Sequence, residues 1–225
     1  MIGARPALTL FTREERRIIR ALRTPIAVQR YLNRLPYNTE PPPDPATLRS
    51  FRGVVRHHTA NCIEAAIFCA VTLEQHGYPP RVMSLESIDG LDHVIFVYRG
   101  RGGRWGSVAR SRDPGLHGRQ PVFRTLRHLA LTYVDPYVDL TGGVKGYGSV
   151  DLRVLGNYDW RLSTKNVWKV ERLLFEIPHR KITPSRTRVA RFRQRYRAFK
   201  KTYPDRKPVD WYDQHAWTEI PAEFR

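Results

Sequence analysis

Cysteine is scarce: only Cys62 and Cys69 occur in 225 residues. On one helix, seven residues span about 10 Å at about 1.5 Å each. A disulfide needs Cα atoms within roughly 7 Å, so these two cannot pair, and nothing in the cysteine usage points to an oxidising compartment. No apolar run approaches the roughly 18 residues of a membrane span. The apolar stretch over 7–11 is too short and poorly flanked for a secretory signal, so a cytoplasmic protein is expected. HExxH and CxxC spacings are missing, and His57-His58 stand too close to chelate from one helix face; no metal and no cofactor is expected. Acidic residues are few, 21 against 39 lysines and arginines, for a net charge of +18.

What is present suffices for a folded chain. Apolar residues make up 41% and aromatics 11%, enough for a core and too many for disorder. Thr12-Arg13-Glu14-Glu15 is a capping-box pattern that starts a helix to about Leu22. Thr24-Pro25 starts a second, and Ser50 a short third to about His57. The proline run over 40–45 reads as a stiff connector. Strands are expected over 81–85, 92–98 and 105–111, the last two joined by a turn at Gly100-Arg101-Gly102-Gly103. Further helices are expected over 125–133, from Ser163-Thr164 to about Glu176, and over 185–201; the glycine-rich stretch 141–149 reads as a loop. The order is that of an α+β fold.

The chemistry-bearing feature is the pairing of Asn61-Cys62-Ile63-Glu64-Ala65-Ala66 with Asp92-His93-Val94-Ile95-Phe96-Val97-Tyr98. Asn61 is a good N-cap and Glu64 closes the box, which makes Cys62 the first residue of an almost wholly apolar helix. Unpaired N–H groups and the macrodipole at a helix start favour a thiolate, and can receive an oxyanion. Equally, Cys62 reads as a small apolar residue; Cys69, deeper in the helix, reads as core. His93 opens an apolar strand, where it is either a base or a capped edge residue.

Taken in order, Leu35-Pro36-Tyr37, the Cys62 and His93 segments, Trp105-Gly106-Ser107 and Pro121-Val122-Phe123-Arg124-Thr125 resemble the transglutaminase-like (papain-like) superfamily, closest to small bacterial members of unassigned function. The likeness covers roughly 24–140. It implies a central cysteine helix packed on an antiparallel sheet; the domain reading is a core over 1–160 with N-terminal helices and a basic helical extension over 161–225 packed on it. It further implies Cys62 as nucleophile and His93 as general base and acid, acting on a peptide or other amide substrate through a thioester, by hydrolysis or transfer. A third residue should orient the imidazole. The family's aspartate position after the strand-opening aromatic is not acidic here, since Trp105 is followed by Gly106-Ser107-Val108-Ala109-Arg110-Ser111. A hairpin centred on Gly102 or Gly103 brings 111–113 opposite His93, so Asp113 is the preferred third residue, with Ser111 the alternative and an Asp-Pro turn the plain reading of Asp113.

Charge concentrates elsewhere. Residues 180–207 hold twelve lysines and arginines against one acid, Asp205, so +11 of the net charge lies there. Within it Val189, Phe192, Tyr196, Phe199 and Tyr203 form a helical stripe. The stripe reads as a docked face with the arginines of 186–201 in solvent. The rival to an enzyme is a non-catalytic protein of the same fold that binds nucleic acid or an acidic partner through this helix. Trp211, Tyr212 and Trp217 read as packing residues.

Overall fold

A computed structural model describes residues 3–40, 45–87, 93–136 and 143–204. The connector residues 41–44, Asp92, the start of the glycine-rich stretch at 141–142, and Trp211, Tyr212 and Trp217 lie outside them.

Four helices come first: α1 Arg13–Ala21, α2 Pro25–Arg34, α3 Phe51–His57 and α4 Cys62–Glu74. The caps act as the sequence suggests, with Thr12, Thr24, Ser50 and Asn61 each accepting a hydrogen bond from a first-turn N–H. Strands β1 Arg81–Ser87, β2 His93–Arg99 and β3 Trp105–Val108 follow, then α5 Leu126–Leu131, β4 Val144–Asp151, α6 Trp168–Glu176, the two-residue β5 Arg180–Lys181 and α7 Arg186–Thr202. The fold is α+β: seven helices, among the described residues, and one antiparallel sheet in the order β3-β2-β1-β4-β5.

Two apolar layers cover the two faces of the sheet. α4 is buried from Glu64 to Glu74 and packs with Val82, Val94 and Phe96 on one face, together with residues of α1 to α3 and α6. An apolar surface all round is what a helix enclosed on every side requires. On the other face Met83, Leu85, Ile95 and Val97 meet Leu116, Phe123, Tyr133 and neighbours from 129–134. The period of two along β2 sends alternate residues to opposite layers.

The expected loop over 141–149 is instead largely β4, which pairs with β1 from Arg81↔Asp151 to Ser87↔Val144 and lies inside the sheet. Its glycines mark close approach. A Cβ on Gly148 would meet Ile177 Cδ1 at 2.9 Å, and one on Gly146 would meet Glu86 Oε2 at 2.9 Å. The third strand is shorter than expected: Gln29 accepts from Ala109 N–H at 3.0 Å and donates to its carbonyl at 2.8 Å, which takes both backbone groups out of the ladder. Residues from 160 onward pack against the α4 layer. Trp160, Val167, Val170 and Leu174 belong to the α4 layer, and Arg161 forms a two-point ion pair with Glu74 at the end of α4, both bonds 2.8 Å long and both residues buried. On α7 only Phe192 of the expected stripe is fully buried, and Tyr203 is exposed; Arg188 is buried instead and pairs with Asp135.

Candidate functional site

The N-terminus of α4 is built around Glu64. This fully buried carboxylate accepts from Asn61 N–H at 3.0 Å, closing the capping box, and also from Asn38 Nδ2 (3.2 Å), Thr47 Oγ1 (3.0 Å) and Arg49 N–H (2.9 Å). One charged acceptor thus gathers the chain on both sides of the 41–44 connector and holds the helix start rigidly. Cys62 is the first residue beyond it. It is half-buried, whereas Cys69 is wholly enclosed in the core.

Burial is the largest influence on the Cys62 thiol and raises its pKa above the ordinary value. The N–H groups of Val94, Ile63 and Cys62 itself and the hydroxyl of Tyr37 pull the other way, and burial outweighs them. The acidified thiol expected from the helix start is therefore not what this environment produces. A dipole helps an anion only to the extent that surrounding matter solvates it.

Tyr37 closes one side. It bridges to Ala60 just before the cap, and its ring lies below the guanidinium groups of Arg110 and Arg112, 5.8 and 5.5 Å from the centroid. Burial and the neighbouring Cys62 push its phenol pKa up. Arg110 is itself anchored, donating to the carbonyls of Leu35 and Ser111.

His93 opens β2 on the face shared with Ile95 and Val97, and is 3% exposed. Its Nε2 lies 2.8 Å from the carbonyl oxygen of Leu116. A carbonyl only accepts, so Nε2 carries the proton and the lone pair is on Nδ1. Burial lowers the imidazole pKa to about 4; the Leu116 carbonyl resists, and electrostatic repulsion from His117 and Arg119 adds to the fall. The ring is neutral at physiological pH.

Leu116 is placed by a stapled loop. Arg119, 3% exposed, donates to the carbonyls of Gly115 (2.6 Å) and His117 (2.7 Å) and lies 4.2 Å above the Tyr133 ring. Tyr133 in turn is 2.7 Å from Ser107 Oγ and donates to the His117 carbonyl at 3.1 Å.

The structure brings Cys62 next to the start of β2 through the N–H of Val94, while the ring of His93, the residue before it, lies in the other layer against Leu116 and Tyr133. The contact on the imidazole proton is Leu116, not one of the side chains chosen as third residue. Continuing the β2–β3 register would set Ser111 opposite His93, but the ladder ends at Phe96↔Val108. Ser111 Oγ accepts from Asp113 N–H at 3.1 Å, and half-buried Asp113 precedes the 3-10 turn Pro114–Leu116 without capping it through its side chain. Sequence reasoning missed the Leu116 carbonyl, since any residue type supplies one, and missed Arg119 and Tyr133, whose roles arise from a loop closing on itself. Among the described residues no group of three or more histidines, cysteines or carboxylates is placed to hold a metal.

Compared with models of known protein families the chain matches none, and no curated protein matches it.

Proposed function

We propose that the chain is a transglutaminase-like cysteine enzyme that attacks amide or related acyl groups through a thioester on Cys62. The observation that carries this reading is the half-exposed Cys62 at the head of a rigidly capped, buried helix, facing the backbone immediately after a histidine whose tautomer is set. Neither partner is charged at rest, given the raised thiol and the depressed imidazole. The proton therefore moves during attack: from Sγ to Nδ1 of His93 as the sulfur–carbon bond forms. The N–H groups at the start of α4 and the Tyr37 hydroxyl face the oxygen that becomes negative. The imidazolium then protonates the departing amine as the carbon–nitrogen bond breaks. Water or a second amine resolves the thioester. Leu116 supplies the orienting acceptor for which the sequence offered Asp113. Such an enzyme takes a peptide or other amide substrate and works in the cytoplasm.

The test is acylation by p-nitrophenyl acetate followed by intact-mass measurement. One acetyl group on Cys62 is expected, absent in Cys62→Ala and formed at least 100-fold more slowly in His93→Ala, within the range general-base assistance supplies. Acylation independent of His93 would overturn the assignment.

A non-catalytic role is favoured by one specific observation: Arg186, Arg191, Arg193, Arg197 and Lys201 are exposed along α7. A nucleic acid or an acidic partner would be held there by charge, so retention on heparin should fall steeply with salt. Loss of that retention when Arg191, Arg193 and Arg195 are neutralised, with no phenotype for Cys62→Ala, would favour it over the enzyme.

A further inference from the structure

A second concave surface lies at the opposite end of α4 and β2, about 20 Å from Cys62 by the length of the helix. There the chain turns out of α4 at Gly77, with Gly77 N–H donating to Glu74 and Tyr78 N–H to Leu73. That turn delivers Tyr78 beside Tyr98 near the end of β2, their rings 6.1 Å apart and edge to face. Arg99 ends β2 and Trp105 opens β3; they are cross-strand partners, with the guanidinium 4.7 Å from the indole centroid. Arg81, at the start of β1, pairs across to Asp151 at the end of β4. These residues line a cleft of about 730 Å³, the size of a small-ligand site.

The charges are unevenly matched. Arg153 is committed to Asp151 by two bonds of 2.9 and 2.6 Å. Arg81 and Arg99 have no hydrogen bond or ion pair from their guanidinium groups among the described residues, although Arg81 stands close enough to Asp151 to lower its pKa alongside Arg153. Two guanidinium groups with no hydrogen bond or ion pair among the described residues, that of Arg99 resting on Trp105, stand beside Tyr78 and Tyr98 and ask for a ligand with an anionic group and a flat face: guanidinium binds phosphate in a planar fork, and rings stack on a base.

We propose that this cleft binds a nucleoside phosphate, with Arg81 and Arg99 holding the phosphate, Trp105 backing the Arg99 guanidinium, and Tyr78 offering a ring face to the base. The site is independent of Cys62 and survives whether or not acyl chemistry occurs there.

Titration calorimetry of the full chain with adenosine 5′-monophosphate tests it, with adenosine and ribose 5-phosphate as partial ligands. Saturable binding is expected, at least tenfold weaker for each partial ligand, and at least tenfold weaker for the monophosphate in Arg81→Gln and in Arg99→Gln, since each removes a charged hydrogen bond. Arg99 is exposed, so Arg99→Gln keeps the test valid if Arg81→Gln alters folding. Equal binding of adenosine and its monophosphate would overturn the proposal. So would indifference to Arg99→Gln, or binding of a single-stranded oligonucleotide with none of the mononucleotide.

Discussion

The two layers of the sheet hold their polar groups in different ways. In the α4 layer, buried charges are carboxylates met by arginine or by several N–H and O–H groups: Glu74 by Arg161, and Glu64 by a ring of donors. In the layer beneath 116–134, the buried charge is a cation, Arg119, met by backbone carbonyls and an aromatic face. Cys62 belongs to the first layer and the ring of His93 to the second. Burial thus keeps the sulfur protonated in the first layer, and in the second it keeps the imidazole neutral, with Arg119 adding to the effect. The two layers come together at the candidate site through the start of β2, where the Val94 N–H reaches Cys62.

Removing one partner of the Glu74–Arg161 pair should have the largest effect. Arg161→Leu strands a buried carboxylate and should cost about 4 kcal/mol. Urea denaturation reads it directly, and a loss below about 1 kcal/mol would mean water reaches that end of the helix.

Acidification should separate the layers next. His93 binds a proton near pH 6.5 when unfolded and near 4 when folded, so the unfolded state takes up protons first. Its contribution is intact above about 6.5 and declines as pH falls toward 4, by about 3 kcal/mol in all. The difference in stability between the parent chain and His93→Gln, measured from pH 7 to 4, isolates it from the carboxylates. A flat difference would place the ring in solvent.

Glu64→Gln keeps the volume of the hub and replaces a charged acceptor by a neutral amide. We expect about 2 kcal/mol of lost stability. Faster alkylation of Cys62 by iodoacetamide should accompany it as the helix start loosens. If stability falls with the alkylation rate unchanged, Glu64 holds the helix without positioning the thiol.

The smallest change is Tyr133→Phe, which deletes one hydroxyl bonded to Ser107 and to the His117 carbonyl, for about 1 kcal/mol. The His93 pKa followed by NMR provides the sharper reading. It should rise toward its ordinary value as the stapled loop relaxes, and an unchanged pKa would show that Arg119 alone holds Leu116 in place.

Much of the frame was legible from local chemistry. Thr12, Thr24, Ser50 and Asn61 announce helix starts because a cap is satisfied within three residues of itself. The α+β order and the hairpin about Gly102 and Gly103, both at positive φ, are local in the same sense. β4 was not legible, because Gly146 and Gly148 carry no hydrophobic signal and their purpose is to admit Ile177 and Glu86. The early end of β3 was not legible either, since it depends on Gln29, 80 residues away in sequence. At the candidate site, Cys62 and His93 stand out by type and position. The ionisation of Cys62 was not legible, because it follows from enclosure rather than from its place at a helix start.

By itself the sequence determined where helices begin, which helix is enclosed, and that one thiol stands at its tip. Those features depend on neighbours three or four residues apart. Tertiary structure alone decided that the thiol is raised, that a backbone carbonyl holds His93, and that Arg81, Arg99 and three aromatic rings share a cleft. A pKa and a pocket depend on which distant groups displace water, and chain order does not encode that distance.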